Sequence, residues 1–303
     1  MTETTQLAQP IVMRATSRVR AYFLLTKPRV IELLLVTTLP AMVLAEGSLP
    51  SIALMGAVLL GGALAAGGAN TINCWIERDR DRVMKRTRHR PLPAGQIAPG
   101  RALVFGVVLE AAAFLWLWAT VNLLAASLAV SAMLFYVFVY TIWLKPRSAQ
   151  NIVIGGAAGA VPVLVGWAAV TGTLDAPAWV LFAIVFCWTP PHFWALSLRY
   201  QDDYAAAGIP MLPVVSGITR AVRQIVLYSV LVVAITLSLF LFESMGVVYF
   251  AAAVGLGVAF VWQALGLRRD PTPQRAMRLF TFSNTYLALL FAAIAVDTLV
   301  RAY

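Results

Sequence analysis

Long apolar runs separated by short polar breaks are the dominant pattern of this chain. Runs of roughly 17 to 22 apolar residues can cross a bilayer as helices. They lie near 30–47, 52–73, 103–121, 124–143, 151–171, 178–198, 223–243, 246–266 and 279–299. The breaks alternate in character. Those after the first, third, fifth and seventh runs are short and nearly free of basic residues. Those after the second, fourth, sixth and eighth hold Arg78 to Arg101, Lys145 and Arg147, Arg199 to Arg223, and Arg268 to Arg278. With the amino terminus inside, every Lys and Arg except Arg301 falls on the cytoplasmic side, and a shift of one helix destroys this separation. The pattern predicts an all-α polytopic membrane protein. About nine transmembrane helices bundle around an intramembrane cavity, with the N-terminus cytoplasmic and the C-terminus on the opposite side.

Composition agrees. Of the 303 residues, 61% are hydrophobic and 12% charged, far from the balance of a soluble domain. The net charge of +10 therefore reads as loaded cytoplasmic loops rather than a nucleic-acid surface. Cys74 and Cys187 have no metal-ligand spacing and imply no disulfide framework. Residues 1–29, with Arg14, Arg18, Arg20, Lys27 and Arg29, read as a cytoplasmic basic segment resting on the membrane rather than a cleaved signal, and 30–303 as a single transmembrane domain.

Against this background the stretch NTINCWIERDRDRVMKRTRHRPLP, 70–93, is anomalous. If the second span continues as a helix, Asn73, Glu77 and Asp81 stack on one face at i, i+4 and i+8, with Asn70 one turn earlier on the same side. Oxygen ligands so gathered suit Mg²⁺, which bridges to phosphate oxygens. Arg78, Arg82, Arg86 and Arg90 recur every fourth residue on the neighbouring face until Pro91, and arginine forks match phosphate. A solvated, salt-bridged helix end has the same alternation of charge. Amides at the apolar-to-polar transition favour the functional reading, because unpartnered polar groups there are costly.

A second polar stretch, TPPHFWALSLRYQDDYAAAGIPMLP, 189–213, follows the sixth span. Pro190 and Pro191 are expected to break or bend that helix, which is tolerated where the chain lines a cavity. His192 is either a ligand or base or a buried, hydrogen-bonded packing residue. Phe193 and Trp194 equally fit an interfacial aromatic belt, and Asp202 and Asp203 an ordinary loop. Both acidic sets, with their arginines, fall on one predicted side of the membrane. Facing each other, they would hold metal ions against a diphosphate.

The strings LTKPRVIELLLVTTLPAM, NCWIERDRDRVMKRTRHRPLPAG, YTIWLKPRSAQNIVIGGAAGAVPVLVGW and TPPHFWALSLRYQDDYAAAGIPMLPVV resemble the UbiA superfamily of intramembrane aromatic prenyltransferases, and within it the heme O synthase branch. The resemblance implies farnesyl diphosphate as donor, heme B as acceptor, and heme O plus pyrophosphate as products, with Mg²⁺ required. It implies catalytic or metal-ligating roles for Asn73, Glu77, Asp81, Asp202 and Asp203, with Asn70 beside them. Arg82, Arg86, Arg90, Lys145 and Arg147 match its phosphate-side basic residues, and Arg199 is a further candidate. His192 matches a histidine that would contact heme. Tyr140, Trp143, Trp188, Phe193 and Trp194 are candidates to shield an allylic cation with their ring faces. Glu77 stands where aspartate is usual, Pro146 and Ser148 depart from the pattern after Lys145, and Ala206 occupies the fourth position after Asp202. The implied setting is a bacterial inner membrane, with a downstream heme A synthase or oxidase assembly factors as partners and no nucleic acid. Prenylation of another aromatic acceptor such as a quinone precursor, or an ion transporter, are the alternatives.

Overall fold

The computed structural model describes residues 18–242 and 245–302. A short helix α1 (Arg18–Leu25) leads into α2 (Pro28–Glu46), then α3 (Ile52–Val83) and α4 (Pro99–Thr120). Next come α5 (Leu123–Leu134), prolonged by a π-helical segment (Phe135–Leu144), α6 (Asn151–Thr171) and α7 (Ala176–Arg199). The short α8 (Gln201–Ala206), α9 (Leu212–Ser238), α10 (Val247–Arg269) and α11 (Pro273–Ala302) complete the chain. Among the described residues, eight helices are long and apolar enough to span a membrane; α2, with the apolar stretch Val36–Glu46, occupies the first expected span. The nine expected spans thus each find a helix.

Local chemistry sets the helix ends. Proline stands in the first turn of α2, α4, α7 and α9, where its missing N–H costs nothing. Ser51 and Asn122 cap α3 and α5 by accepting from Leu54 N (3.2 Å) and Ala125 N (2.8 Å). Gly47 and Gly172 close α2 and α6 at φ 70°, a conformation glycine adopts without a Cβ clash.

Successive long helices pack side by side, and α11 returns to α2 to close a ring; α2 also packs on α6, and α7 on α11. α6 and α7 are the most enclosed spans. The outward faces stay apolar, with Val104, Val107 and Trp118 on α4 and Val258 and Trp262 on α10 exposed, as a lipid-facing surface requires. Lipid gives no hydrophobic drive between helices, so close approach through small residues holds them. Gly68 is such a point: a Cβ there would lie 2.9 Å from the Gly106 carbonyl oxygen.

Three details depart from the sequence pattern. α7 runs unbroken through Pro190 and Pro191. The two missing donors free carbonyls one turn back, yet tight packing against α6, α9 and α11 keeps the helix going. α9 begins eleven positions before the expected 223, in the segment read as loop, because the turn at Gly217 (φ 77°, ψ 164°) joins a short entry helix to the span. The third concerns the end of α3, described next.

Candidate functional site

α3 has 32 residues, about 48 Å at 1.5 Å per residue. That exceeds the ~30 Å hydrocarbon core, so its last turns carry polar residues out to the membrane boundary. Asn70, Asn73, Glu77 and Asp81 are all buried there, on the one face their spacing demanded. A cation or amide partner meets each rung. Lys27 Nζ donates to Asn73 Oδ1 (2.6 Å), Lys145 forms an ion pair with Glu77, and Arg90 Nη1 donates to both Asp81 oxygens (3.1 and 2.8 Å). Asn70 Nδ2 donates to the Thr26 carbonyl (3.0 Å). Segment 18–27 is therefore packed onto the ladder; Ala21 and Leu25 are buried with Cys74, Leu92 and Ile97.

The expected arginine stripe does not form. α3 ends at Val83, Met84 turns extended (φ −77°, ψ 125°), and residues 84–96 fold back in hydrogen-bonded turns. That reversal carries Arg90 inward to Asp81. Arg82 stays on the helix but points out, pairing with the exposed Asp79 (3.2 Å).

Two backbone irregularities present the cations. Lys27 adopts a left-handed conformation (φ 53°), a strained state for a non-glycine residue. On the far side, the π segment pairs Lys145 N with the Tyr140 carbonyl five residues back (2.8 Å). Such bulges re-aim side chains at functional sites. Here the segment sets Thr141 Oγ1 to accept from Asn73 Nδ2 (3.0 Å), and the Lys145 ammonium 5.7 Å from the Tyr140 ring, itself stacked on Tyr136. Gly155 of α6 leaves the space that the Tyr140 ring fills. Burial lowers the Lys27 pKa, with help from the nearby Arg90 and Lys145 charges. Burial acts on Lys145 in the same sense, but the Glu77 carboxylate together with the Tyr140 and Tyr136 hydroxyls outweighs it and holds the ammonium well above its usual value. Asp81 likewise raises Arg90 against its burial.

The second acidic set meets the first through Arg86. Its backbone N–H donates to Asp203 Oδ2 (3.1 Å), 117 residues away in sequence, and its guanidinium lies 5.7 Å from the Tyr200 ring, which Arg199 also approaches at 5.9 Å. Asp203 is buried; Asp202 is exposed beside it. Arg86 Nε and Asn151 Oδ1 are buried without a hydrogen-bond partner.

The aromatic candidates divide. His192 is sandwiched between Trp188 (4.3 Å) and Phe280 (4.4 Å), with Phe193 edge-on at 5.0 Å. Its Nδ1 is 2.7 Å from Ser283 Oγ, and Trp188 Nε1 donates to the Ser283 carbonyl (2.8 Å), so α7 and α11 hold the ring together. Ser283 Oγ donates its own proton to the Phe280 carbonyl (2.7 Å). The hydroxyl then accepts from Nδ1–H, leaving a lone pair on Nε2. Trp194 instead packs edge-on against Tyr228 of α9, Trp143 is exposed on the outer surface, and Arg147 turns back onto the carbonyls of Ile142 and Trp143. None of these three side chains partners the ladder, and neither does Arg82. Lys27, Thr141 and Tyr136 join the site without having been singled out from sequence.

The profile of the UbiA prenyltransferase family matches residues 34–291, most of the chain. This protein belongs to the UbiA prenyltransferase family. Among curated relatives of the family member, the protoheme IX farnesyltransferases of Mycobacterium avium (strain 104) and Parafrankia sp. (strain EAN1pec) are 52% and 53% identical. The alignments cover 94% of this chain in both cases, and 93% and 92% of those proteins. Solved structures share the fold. A digeranylgeranylglyceryl phosphate synthase superposes with a TM-score of 0.76 at 17% identity, covering 94% of this chain and all of that one. A UbiA homolog from Archaeoglobus fulgidus bound to GPP and Mg²⁺ gives 0.64 at 18%, covering 90% and 99%. The chain is thus a multi-pass membrane prenyltransferase.

Chemically, this UbiA-family site places alternating anions and cations at an apolar boundary, where charge interactions are strong. Its donors are hard oxygens, the set a divalent cation takes. Among the described residues no three acidic, histidine or cysteine side chains converge on a single point. The reason is visible: Lys145 and Arg90 hold Glu77 and Asp81 apart as separate pairs. The unpartnered Arg86 Nε, beside Asp203, fits a site that a ligand completes.

Proposed function

We propose that this chain transfers the farnesyl group of farnesyl diphosphate to a vinyl group of heme B, with addition of water, giving heme O and pyrophosphate. One observation carries the reading most: Asn73, Glu77 and Asp81, three rungs of a buried oxygen ladder, are each matched by a cation one contact away. Diphosphate with a divalent cation is the one substrate class that satisfies both columns at once. The oxygens turn to metal and the cations to phosphate. The 52% identity to proteins named protoheme IX farnesyltransferase supports the acceptor.

Asn73, Glu77, Asp81, Asp202 and Asp203 would hold Mg²⁺, which supplies neutralisation of the leaving pyrophosphate's charge. Lys27, Lys145, Arg90 and Arg86 bind the diphosphate oxygens and stabilise the charge that grows as the C1–O bond breaks. The Tyr136 and Tyr140 rings, stacked beside Lys145, face the allylic cation and keep water from it. The vinyl π-electrons close the new C–C bond. The cation left beside the macrocycle takes a water oxygen, and that water's second proton goes to solvent. His192, with its Nε2 lone pair and its ring fixed between Trp188 and Phe280, positions the macrocycle. The protein sits in a bacterial inner membrane with the ladder on the cytoplasmic side, and its product passes to a heme A synthase or an oxidase under assembly.

Purified protein given heme B, farnesyl diphosphate and Mg²⁺ yields heme O, identified by mass, together with one pyrophosphate per heme consumed. Parallel incubations with 4-hydroxybenzoate and a naphthoate give no prenylated product. Prenylation of either, with heme untouched, overturns the acceptor.

A further inference from the structure

Away from the ladder, a cavity of about 510 Å³ opens between the basic ends of α9 and α10, lined by Thr219, Val222, Arg223, Arg268 and Pro271. The two arginines come from different helices and converge on it. The nearest acid in sequence, Asp270, is taken by Arg275 (2.9 Å), which also donates to the Gly266 carbonyl. Arg220 and Arg269 add further positive charge next in sequence to the lining residues Thr219 and Arg268. Such a concentration of like charge is unfavourable unless an anion occupies it.

The faces running inward from the two arginines are apolar and open. On α9, Leu227, Val230 and Leu231 lie four to eight positions beyond Arg223 and are exposed. On α10, Leu265 lies one turn inward of Arg268, and Trp262 further in is also exposed. A polar cationic cleft at the boundary, continuous with an exposed apolar groove at membrane depth, has the shape of an amphiphile with a charged head. We infer that the α9–α10 cleft binds the phosphate headgroup of an anionic phospholipid, with its acyl chains along Leu227, Val230 and Leu265. Arg223 and Arg268 grip the phosphate by their forks, and Thr219 donates its hydroxyl. The lipid ties the ends of α9 and α10 together.

The test uses delipidated full-length protein in a neutral detergent, with phosphatidylglycerol, phosphatidylcholine and inorganic phosphate as separate probes, read by native mass spectrometry and thermal unfolding. Phosphatidylglycerol binds and raises the melting temperature; phosphatidylcholine and inorganic phosphate do not. Arg223→Gln with Arg268→Gln weakens phosphatidylglycerol about thirtyfold, from two basic contacts near a membrane surface. Arg223→Lys with Arg268→Lys, which keeps charge and fold, retains most of the binding, and Arg101→Gln, an exposed arginine of α4, leaves it unchanged. Equal weakening by Arg101→Gln, full binding by the double Gln variant, or inorganic phosphate matching the lipid overturns the inference.

Discussion

Glu77 and Lys145 are almost out of water, with side-chain exposures of 5% and 15%, and they face each other as an ion pair. Breaking such a pair by removing one partner strands the other charge in a poorly solvating site, which costs about 3–5 kcal/mol, whereas replacing both by neutral groups of similar volume is close to neutral. Lys145→Met should therefore destabilise the fold by about 3 kcal/mol or more, and Glu77→Gln by a comparable amount. The double variant should be more stable than either single one and within about 1 kcal/mol of the parent. The assay is reversible denaturant unfolding of all four proteins in one fixed lipid–detergent mixture. Farnesyl transfer, measured alongside, falls at least about a hundredfold in all three variants, since each loses a group that acts on the developing charge. Stability and activity thus separate: the double variant regains the first and not the second. A double variant destabilised by the sum of the two single losses would show that the charges do not interact, and a double variant with parental turnover would show that they do not act on substrate.

Chelation with EDTA abolishes turnover and added Mg²⁺ restores it, while Asp81→Asn lowers kcat about a hundredfold or more in a steady-state assay at saturating Mg²⁺. Lys27→Gly relieves about 1 kcal/mol of left-handed strain at that position, yet it removes the charged partner of Asn73, which offsets that gain, and raises the KM for farnesyl diphosphate. Asp297 is buried at the other end of the bundle, where it accepts from Gly246 N (2.6 Å) and Tyr249 N (3.1 Å) and pairs with Arg301 (3.0 Å). Asp297→Ala strands those groups and costs about 2–4 kcal/mol in denaturant unfolding, while the folded enzyme keeps its kcat.

The spans were legible because a bilayer demands long apolar runs and the arginines sort to one side. The ladder was legible for the same kind of reason: Asn73, Glu77 and Asp81 obey a helical period through a stretch where the chain stays helical to Val83. What was hidden depended on the chain leaving that period. The stripe of Arg82, Arg86 and Arg90 assumed a helix to Pro91, but the turn at Met84 sends Arg90 back to Asp81 and leaves Arg82 facing outward. Thr141 and Lys145 reach α3 through a π segment that carries no signature in FYVFVYTIWL, where apolar residues satisfy any period. Lys27 gave one faint signal, a lysine held just ahead of Pro28 where a helix must start. Its left-handed backbone and its reach to Asn73 arise only from tertiary packing. The proline pair suggested a broken helix, and burial of α7 on three sides overrode it.

A structure of the protein with bound Mg²⁺ and a non-hydrolysable farnesyl diphosphate analogue bears most directly on this account. Lys27, Lys145 and Arg90 should have left Asn73, Glu77 and Asp81 for the diphosphate oxygens, with the freed oxygens and Asp203 turned to the metal and the prenyl chain passing Tyr140. A diphosphate bound elsewhere, with those three pairs intact, would contradict it.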